Sequence, residues 1–271
     1  MHRFLTSLLA LVLALPLEAQ TRRPSHCIAI ADAAPGLQYL QKASFGEPLE
    51  KHSVRLNYVD HSTFLIETGG GLQAATDYTG FLGIRDVVPD VVTMNHAHDS
   101  HWTSRPDPRI PHVLEGWSGD HHLDLGEMLV RNVRTNIRSR FGDGVEVNGN
   151  SIFVFEVAGL CIGHLGHLHH EPNAEQYAAL GRLDVVLAPV DGGLTLDRVT
   201  LARMLGRLRS SVVIPMHWFG RYNLDLFLTD MAKEFEIDRR RETWFEVSLR
   251  TLPKRPTVVV LNPKYLPDID E

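Results

Sequence analysis

Apolar and polar residues alternate along much of the chain after residue 53, and this pattern predicts short β-strands. Residues 54–59 show an alternation of apolar and polar residues, which is typical of a half-buried strand. Residues 63–67 form a second such run, and three glycines at 69–71 turn it into a third at 72–76. Further apolar runs predict strands at 90–94, 128–133, 151–157, 160–164, 184–190, 211–216 and 257–261.

Helical patterns lie between the later strands. Residues 175–180 predict a helix that ends at Gly181, a fitting C-cap. A second helix runs to Arg207 with Thr195 or Asp197 as its N-cap, and a third covers 224–235. Strands dominate the first half and strand–helix alternation follows. The sequence therefore predicts an α/β layered domain with two sheets and helices outside.

The N-terminus has the features of a secretory signal peptide. A basic start, Met1-His2-Arg3, precedes an apolar run at 4–15, followed by Pro16 and the small residue Ala19. The run is shorter than the ~20 residues of a membrane span. We expect a signal peptide at 1–19, export to the periplasm or outside the cell, and no stable membrane span after cleavage. Residues 20–52 are interpreted as an N-terminal extension and 53–271 as the folded domain.

Charge and cysteine content limit the partners and the chemistry. The net charge of -6 argues against nucleic acid as a partner, so we expect a small-molecule substrate. An exported protein permits a disulfide between Cys27 and Cys161, but two cysteines do not require one. Cys161 lies in an apolar stretch and is interpreted as a small core residue. The cysteine pairing and the oligomeric state both stay open at this level.

Histidine is over-represented, with 15 residues. Eight of them follow three predicted buried strands: His96, His98 and His101; His164, His167, His169 and His170; and His217. Loops at one edge of a sheet can converge on a ligand, and imidazole is the commonest zinc ligand. This grouping predicts a metal site at a sheet edge.

The same motifs resemble those of the metallo-β-lactamase superfamily, from about residue 53 to 263. Residues 96–101 read His-Ala-His-Asp-Ser-His, similar to the family signature His-x-His-x-Asp-His, and residues 214–217 resemble its final ligand motif. Residues 60–64 and 76–78 resemble the family's opening strands, most closely those of the branch containing ascorbate-phosphate lactonases.

The resemblance implies a four-layer αβ/βα sandwich with metal at one edge. It places His96 and His98 at a first ion and His101 and His217 at a second, with His167 at the position that bridges them. It places Asp77 behind the ligand loop, where a carboxylate orients a ligating imidazole. It also matches His61 to a family histidine near the site, although this residue could equally cap a turn.

Three departures from the family pattern alter the expected metal chemistry. Ser100 replaces the signature aspartate, and Asp99, one position earlier, is the candidate catalytic carboxylate. His167 replaces the bridging aspartate, and residues 133–138 contain no histidine. An imidazole has one lone pair to donate and brings no negative charge. One ion held by three or four histidines is therefore favoured over two, and His164, His169 and His170 are further candidate ligands or proton carriers.

Three functions follow from this site. The first is a zinc-dependent hydrolase in which a metal-bound hydroxide attacks an ester, lactone, amide or phosphodiester. It would use one or two ions, with iron or another divalent transition metal as the alternative to zinc. The second is a non-catalytic metal-binding or ligand-binding protein on the same fold. The third is a redox centre containing iron.

Overall fold

The computed structural model describes residues 22–29, 49–139 and 144–266. The predicted signal peptide and most of the predicted N-terminal extension lie outside these ranges. Within the described ranges, no helix has the length and apolar character needed to cross a membrane.

The first sheet has six strands in the order β13-β1-β2-β3-β4-β5. Pairing is antiparallel from β13 to β3 and parallel from β3 to β5. The strands are β1 (Val54–Asp60), β2 (Thr63–Thr68), β3 (Gln73–Ala75), β4 (Val91–Met94), β5 (His112–Glu115) and β13 (Trp244–Val247).

The second sheet has eight strands in the order β12-β14-β11-β10-β9-β8-β7-β6. The strands from β9 through β10, β11 and β14 to β12 are parallel, and those from β6 to β9 are antiparallel. They are β6 (His122–Asp124), β7 (Met128–Arg138), β8 (Val145–Val157), β9 (Leu160–His164), β10 (Val185–Pro189), β11 (Val212–Met216), β12 (Glu236–Arg239) and β14 (Thr257–Val260). The sequence pattern missed β5, β6, β12 and β13, which are short and mostly half-buried.

The described part of the chain has four helices: α1 (His26–Ala29), α2 (Ala174–Leu180), α3 (Arg198–Leu208) and α4 (Arg221–Met231). Asn173 and Gln176 form a capping box at the start of α2, and Gly181 ends that helix as predicted. Asp197, rather than Thr195, caps α3 by accepting a hydrogen bond from the backbone of Thr200. Helix α4 begins and ends earlier than the pattern predicted.

The two sheets pack face to face through a buried apolar core that includes Leu56, Phe64, Phe155 and Ile214. Helices α2, α3 and α4 cover the outer face of the eight-stranded sheet. Loop residues such as Tyr78 and Leu266 pack on the outer face of the six-stranded sheet. The predicted fold class, a mixed α/β sandwich with two sheets, is confirmed.

A disulfide joins the N-terminal segment 22–29 to the eight-stranded sheet. Cys27 and Cys161 are bonded, with their Cα atoms 5.9 Å apart, and both are fully buried. Ser25 and the backbone of His26 also donate hydrogen bonds to Glu156 on β8. Cys161 is therefore a core residue, as predicted, and also a disulfide partner. The disulfide decides the pairing that the sequence left open.

Candidate metal centre

The candidate metal centre lies where several strands end at one edge of the sandwich. His96 follows β4, His164 is the last residue of β9, and His217 follows β11. Strands β9, β10 and β11 are parallel and in register, so their carboxyl ends lie side by side. The backbone N–H of His217 donates to the carbonyl of His61 in the β1–β2 turn, which joins the two sheets at this point.

His101 is held by a buried aspartate. Its Nδ1 lies 2.5 Å from Oδ2 of Asp77, and neither side chain is exposed to solvent. The other Asp77 oxygen, Oδ1, accepts a hydrogen bond from the backbone of Asn95 at 3.0 Å. Asp77 thus occupies the place that the resemblance implied, behind the ligand loop. Because its carboxylate accepts from Nδ1, it leaves the lone pair of the ring on Nε2.

A second buried aspartate, Asp191, lies beside His217, two residues after the end of β10. Nδ1 of His217 lies 2.9 Å from Asp191 Oδ2. Oδ1 of Asp191 accepts hydrogen bonds from the backbones of Gly193 and Leu194, and the hydroxyl of Thr195 donates to Oδ2. Burial opposes ionisation of Asp191, but these donors outweigh it and hold its pKa far below the ordinary value. The ionised carboxylate, close to Nδ1 of His217, favours the tautomer that carries its proton on Nδ1.

The two carboxylate-bound rings face each other across a short gap. Nε2 of His101 lies 3.1 Å from Nε2 of His217, and their ring planes are within 13° of parallel. With both protons on Nδ1, two lone pairs point at each other, an arrangement that a cation stabilises. A tetrahedral zinc ion with Zn–N bonds of ~2.0–2.1 Å holds its ligand atoms about 3.3–3.4 Å apart. The observed gap is close to that spacing, so these residues fit a metal ion.

His61 lies against this pair. Its ring centroid is 3.9 Å from that of His217 and 5.9 Å from that of His101. The ligand atoms of His61, His101 and His217 all lie within 4.8 Å of one another. A second group in the described residues contains His26, Cys27 and Cys161, but its two sulfurs are joined in the disulfide and are not thiolates.

His96, His98 and His167 form a wider group beside the first. The distances between their ring centroids are 6.3 to 6.4 Å. His96 is buried, and its Nδ1 lies 2.5 Å from the carbonyl of Gly149, while His98 is exposed. The ring of His167 lies 5.1 Å from those of both His101 and His217. All five predicted ligands are therefore gathered at one edge.

Gly166 shapes the loop that carries His167. Its φ is +60°, and a Cβ there would collide with the side-chain amides of Asn95 and Asn150. Asn150 accepts a hydrogen bond from the backbone of His167. The glycine thus permits a sharp turn after His164, and the buried amides hold His167 towards the other histidines.

The three further candidate ligands, His164, His169 and His170, differ from the other histidines in their hydrogen-bond partners. Both nitrogens of His164 make hydrogen bonds, with Ser62 O at 2.8 Å and with Asn95 Nδ2 at 3.1 Å, so this ring supports the loops from within the core. His169 accepts a hydrogen bond from Arg138, and its ring packs against that of His170. Nδ1 of His170 lies 3.3 Å from the carbonyl of Asn136.

Asp99, the candidate catalytic carboxylate, is exposed on the loop between His98 and His101. It lies one residue before Ser100, whose hydroxyl is 3.2 Å from Nδ1 of His98. Its catalytic role stays a prediction.

Burial and the neighbouring histidines keep the rings of His61, His101 and His167 neutral. Burial and the neighbouring His217 and His101 lower the pKa of His61 to about 3. Burial, His101 and His217 lower that of His167 to about 2, and the pKa of His101 is also well below its ordinary value. Burial raises the pKa of Asp77 to about 6, although several hydrogen bonds and nearby histidines oppose the shift. At neutral pH the rings of His61, His101 and His167 are therefore unprotonated and able to bind a metal.

Sequence reasoning gave too little weight to two residues. The sequence around Asp191 predicts a loop turn or a substrate contact, whereas its pairing with His217 depends on two loops that are distant in sequence. Its position directly after a buried strand at the same edge was the available signal. For His61, the sequence allows either a residue of the site or a turn cap. Its φ of +37° fits the turn, while its ring also faces the site.

Comparisons with known proteins agree with this geometry. The sequence model of a β-lactamase superfamily domain matches residues 55–217. A proposed zinc-dependent hydrolase of the metallo-β-lactamase superfamily from Thermotoga maritima is 26% identical, with a TM-score of 0.58, over 78% of this chain and 100% of that chain. The metallo-β-lactamase fold protein YhfI from Bacillus subtilis is 8% identical, with a TM-score of 0.53, over 79% of this chain and 98% of that chain. No curated protein has a significantly similar sequence.

The family match covers more than half of the chain and includes the β1–β2 turn, Asp77, the clustered histidines and Asp191. The chain belongs to the β-lactamase superfamily domain family and has the fold of the metallo-β-lactamase superfamily of metal-dependent hydrolases.

Proposed function

We propose that this protein hydrolyses a small-molecule ester, lactone, amide or phosphodiester with a metal ion bound at His101 and His217. One observation carries the proposal, namely the two imidazoles backed by Asp77 and Asp191 whose Nε2 atoms lie 3.1 Å apart. Two hydrogen-bonded carboxylates that fix two facing lone pairs are the arrangement expected of a metal-ligand pair.

A divalent ion held by His101 and His217 would supply a Lewis acid and would lower the pKa of a nearby water towards 7. Asp77 and Asp191 keep each ring in the ligating tautomer and hold it in place. The exposed Asp99 is the carboxylate that can accept a proton from water at the rim. The exposed His98 is the signature histidine that a substrate can reach.

Zinc is the proposed metal, because a set of neutral imidazoles suits it well. The two carboxylates behind the rings supply the negative charge that the imidazoles lack. Two ionised aspartates offset the charge of one divalent ion, which favours one ion over two. Iron or another divalent transition metal is the alternative.

The proposed substrate is a small molecule, and the proposed location is the periplasm or the cell exterior. A net charge of -6 does not favour nucleic acid, and the apolar N-terminal run at 4–15 has the pattern of an export signal. The likeness of the opening motifs to the ascorbate-phosphate lactonase branch makes lactones the first substrates to test.

A second candidate function is metal or ligand binding without catalysis. The group His61, His101 and His217 consists of imidazoles alone, and Ser100 stands where the family signature has an aspartate. Fewer ligating carboxylates leave fewer groups that can move a proton close to the ion.

The test combines metal content with a substrate screen. The mature protein is purified without chelator or added metal, its metals are measured by mass spectrometry, and it is screened against lactones, esters, amides and phosphodiesters. A His101→Ala/His217→Ala variant is the comparison, and a His52→Ala variant, altered at an exposed histidine outside the site, is the control. We expect about one equivalent of zinc and hydrolysis in the parent and control, and neither in the double variant. Stoichiometric metal with no hydrolysis would favour the binding function, and a folded parent without metal would overturn both.

A further inference from the structure

His61 is fixed beside the metal-ligand pair by its own backbone. Its carbonyl accepts two hydrogen bonds, one from the backbone N–H of His217 and one from the hydroxyl of Tyr58, both at 2.7 Å. Tyr58 is itself buried and stacked on Phe64. The backbone of His61 is thus tied directly to that of a ligand residue, and the two side chains start from neighbouring points.

The backbone of His61 is also in an unfavourable conformation. Its φ of +37° lies in the left-handed region, where few residues other than glycine are found. Such a conformation persists when the surrounding structure enforces it. Here it turns the ring of His61 towards those of His217 and His101.

The ring of His61 presents a buried nitrogen to the site. Nε2 of His61 is inaccessible to solvent and has no hydrogen-bond partner among the described residues. A buried polar atom of this kind destabilises the folded protein unless it forms a hydrogen bond or binds an ion.

The distances favour His61 over the neighbouring candidates as a third ligand. Among the described residues, His61, His101 and His217 form the one all-histidine group whose ligand atoms lie within 4.8 Å of one another. An ion would draw these atoms to about 3.3–3.4 Å apart, a movement of at most ~1.5 Å and within the reach of a side-chain rotation. His167 lies close in ring position but is not part of that group.

The loop of the signature motif leaves a place for such a ligand. Ser100 stands where the family signature has an aspartate, and its hydroxyl is 3.2 Å from His98 Nδ1. Asp99 is exposed. Neither residue places a carboxylate beside His101 and His217.

We propose that His61 is a direct ligand of the metal ion, together with His101 and His217, and takes the place of the carboxylate absent at position 100. This proposal rests on the metal-binding part of the proposed function. The result is a site of three neutral imidazoles for one divalent transition-metal ion such as Zn²⁺. The charge of the ion would be offset by Asp77 and Asp191, which lie behind the rings of His101 and His217, instead of by a ligating carboxylate.

The test replaces His61 with a residue that tolerates its backbone. Asparagine is one of the few residues favoured at positive φ, so His61→Asn removes the imidazole with little added strain. His52 offers a matched control, since it is an exposed histidine with a φ of +71° in the turn before β1. Both variants and the parent are made metal-free, and Zn²⁺ binding is measured by competition with a chromophoric chelator. The visible spectrum of bound Co²⁺ reports the ligand set independently of activity.

We expect His61→Asn to weaken Zn²⁺ binding more than about 100-fold, beyond the 10–100-fold effect usual for a residue that only supports a ligand. The Co²⁺ spectrum should change in shape as an imidazole is lost, while His52→Asn matches the parent in both measurements. If His61→Asn binds Zn²⁺ as tightly as the parent with an unchanged Co²⁺ spectrum, His61 is not a ligand, although the proposed function stands. If the folded parent itself binds neither metal, the proposed function fails and this inference fails with it.

Discussion

A substitution at Asp77 tests how the proposed ligand His101 is oriented, because the two carboxylate oxygens of Asp77 accept hydrogen bonds from different groups. Oδ1 accepts from the backbone of Asn95 at 3.0 Å, and Oδ2 accepts from His101 Nδ1 at 2.5 Å. In an Asp77→Asn variant, the amide oxygen can keep the first bond. The amide –NH₂ then faces His101 and cannot accept its proton.

The consequence falls on the tautomer of His101. With a donor opposite Nδ1, the ring gains a hydrogen bond only by moving its proton to Nε2, the atom that faces His217 Nε2 at 3.1 Å. Metal binding must then reverse this shift, and one of the two charges that offset the ion is lost. Partners that orient ligands typically change metal affinity 10–100-fold. We expect a loss near the upper end, about 100-fold, which corresponds to roughly 2.7 kcal/mol of binding free energy.

The measurement is the Zn²⁺ dissociation constant by chelator competition, together with urea unfolding of the metal-free proteins. Asp184→Asn is the matched control, because Asp184 is also buried and accepts a backbone hydrogen bond, from Cys161 at 2.8 Å, away from the histidines. We expect the control to bind Zn²⁺ like the parent, and Asp77→Asn to stay folded without metal. A folded Asp77→Asn variant with parental affinity would refute the argument that this carboxylate sets the ligating tautomer.

Three further predictions concern the scaffold. The Cys27–Cys161 disulfide spans 134 residues, so C27S/C161S should lower the free energy of unfolding by about 5 kcal/mol in urea titrations, and a loss below about 1 kcal/mol would contradict it. Gly166→Ala should cost at least about 2 kcal/mol in the same assay, through strain at φ +60° and displaced amides, whereas Gly192→Ala, at φ +72° in open space, should cost only about 1 kcal/mol. Because folding lowers the pKa of His61 from 6.5 to about 3, its contribution to the stability of the metal-free protein is fully present above pH 6.5 and declines as the pH falls towards 3. If the denaturant midpoint stays level or rises as the pH falls from 6.5 to 3, His61 is not a neutral ring in the folded protein.

Local patterns predicted most of the fold well. Alternating residues in β1 and a short apolar run in β11 are patterns typical of strands. The caps of α2 and α3 were readable because a side chain caps a backbone only a few residues away. The short strands β12 and β13 were missed, since half-buried edge strands lack a distinct apolar pattern.

The sequence alone determined that imidazoles would gather at one sheet edge. Each cluster directly follows a buried strand, and the parallel strands β9 and β11 end together in one sheet. Strand β4, which precedes His96, belongs to the other sheet and reaches this edge through the packing of the two sheets. The resemblance of the motifs added Asp77 as a support for the ligand loop, and the structure places it there.

Tertiary structure decided which groups meet. The contacts Asp191–His217, His61–His217 and Cys27–Cys161 join residues from 26 to 156 positions apart, and side-chain pairing at that separation has no local pattern. Distant contacts also decide the role of His164. Its position among candidate ligands suggests metal binding, but its two nitrogens form hydrogen bonds with Ser62 and Asn95. Residue type sets what a side chain can bind, while the packing of distant loops sets which partner it reaches.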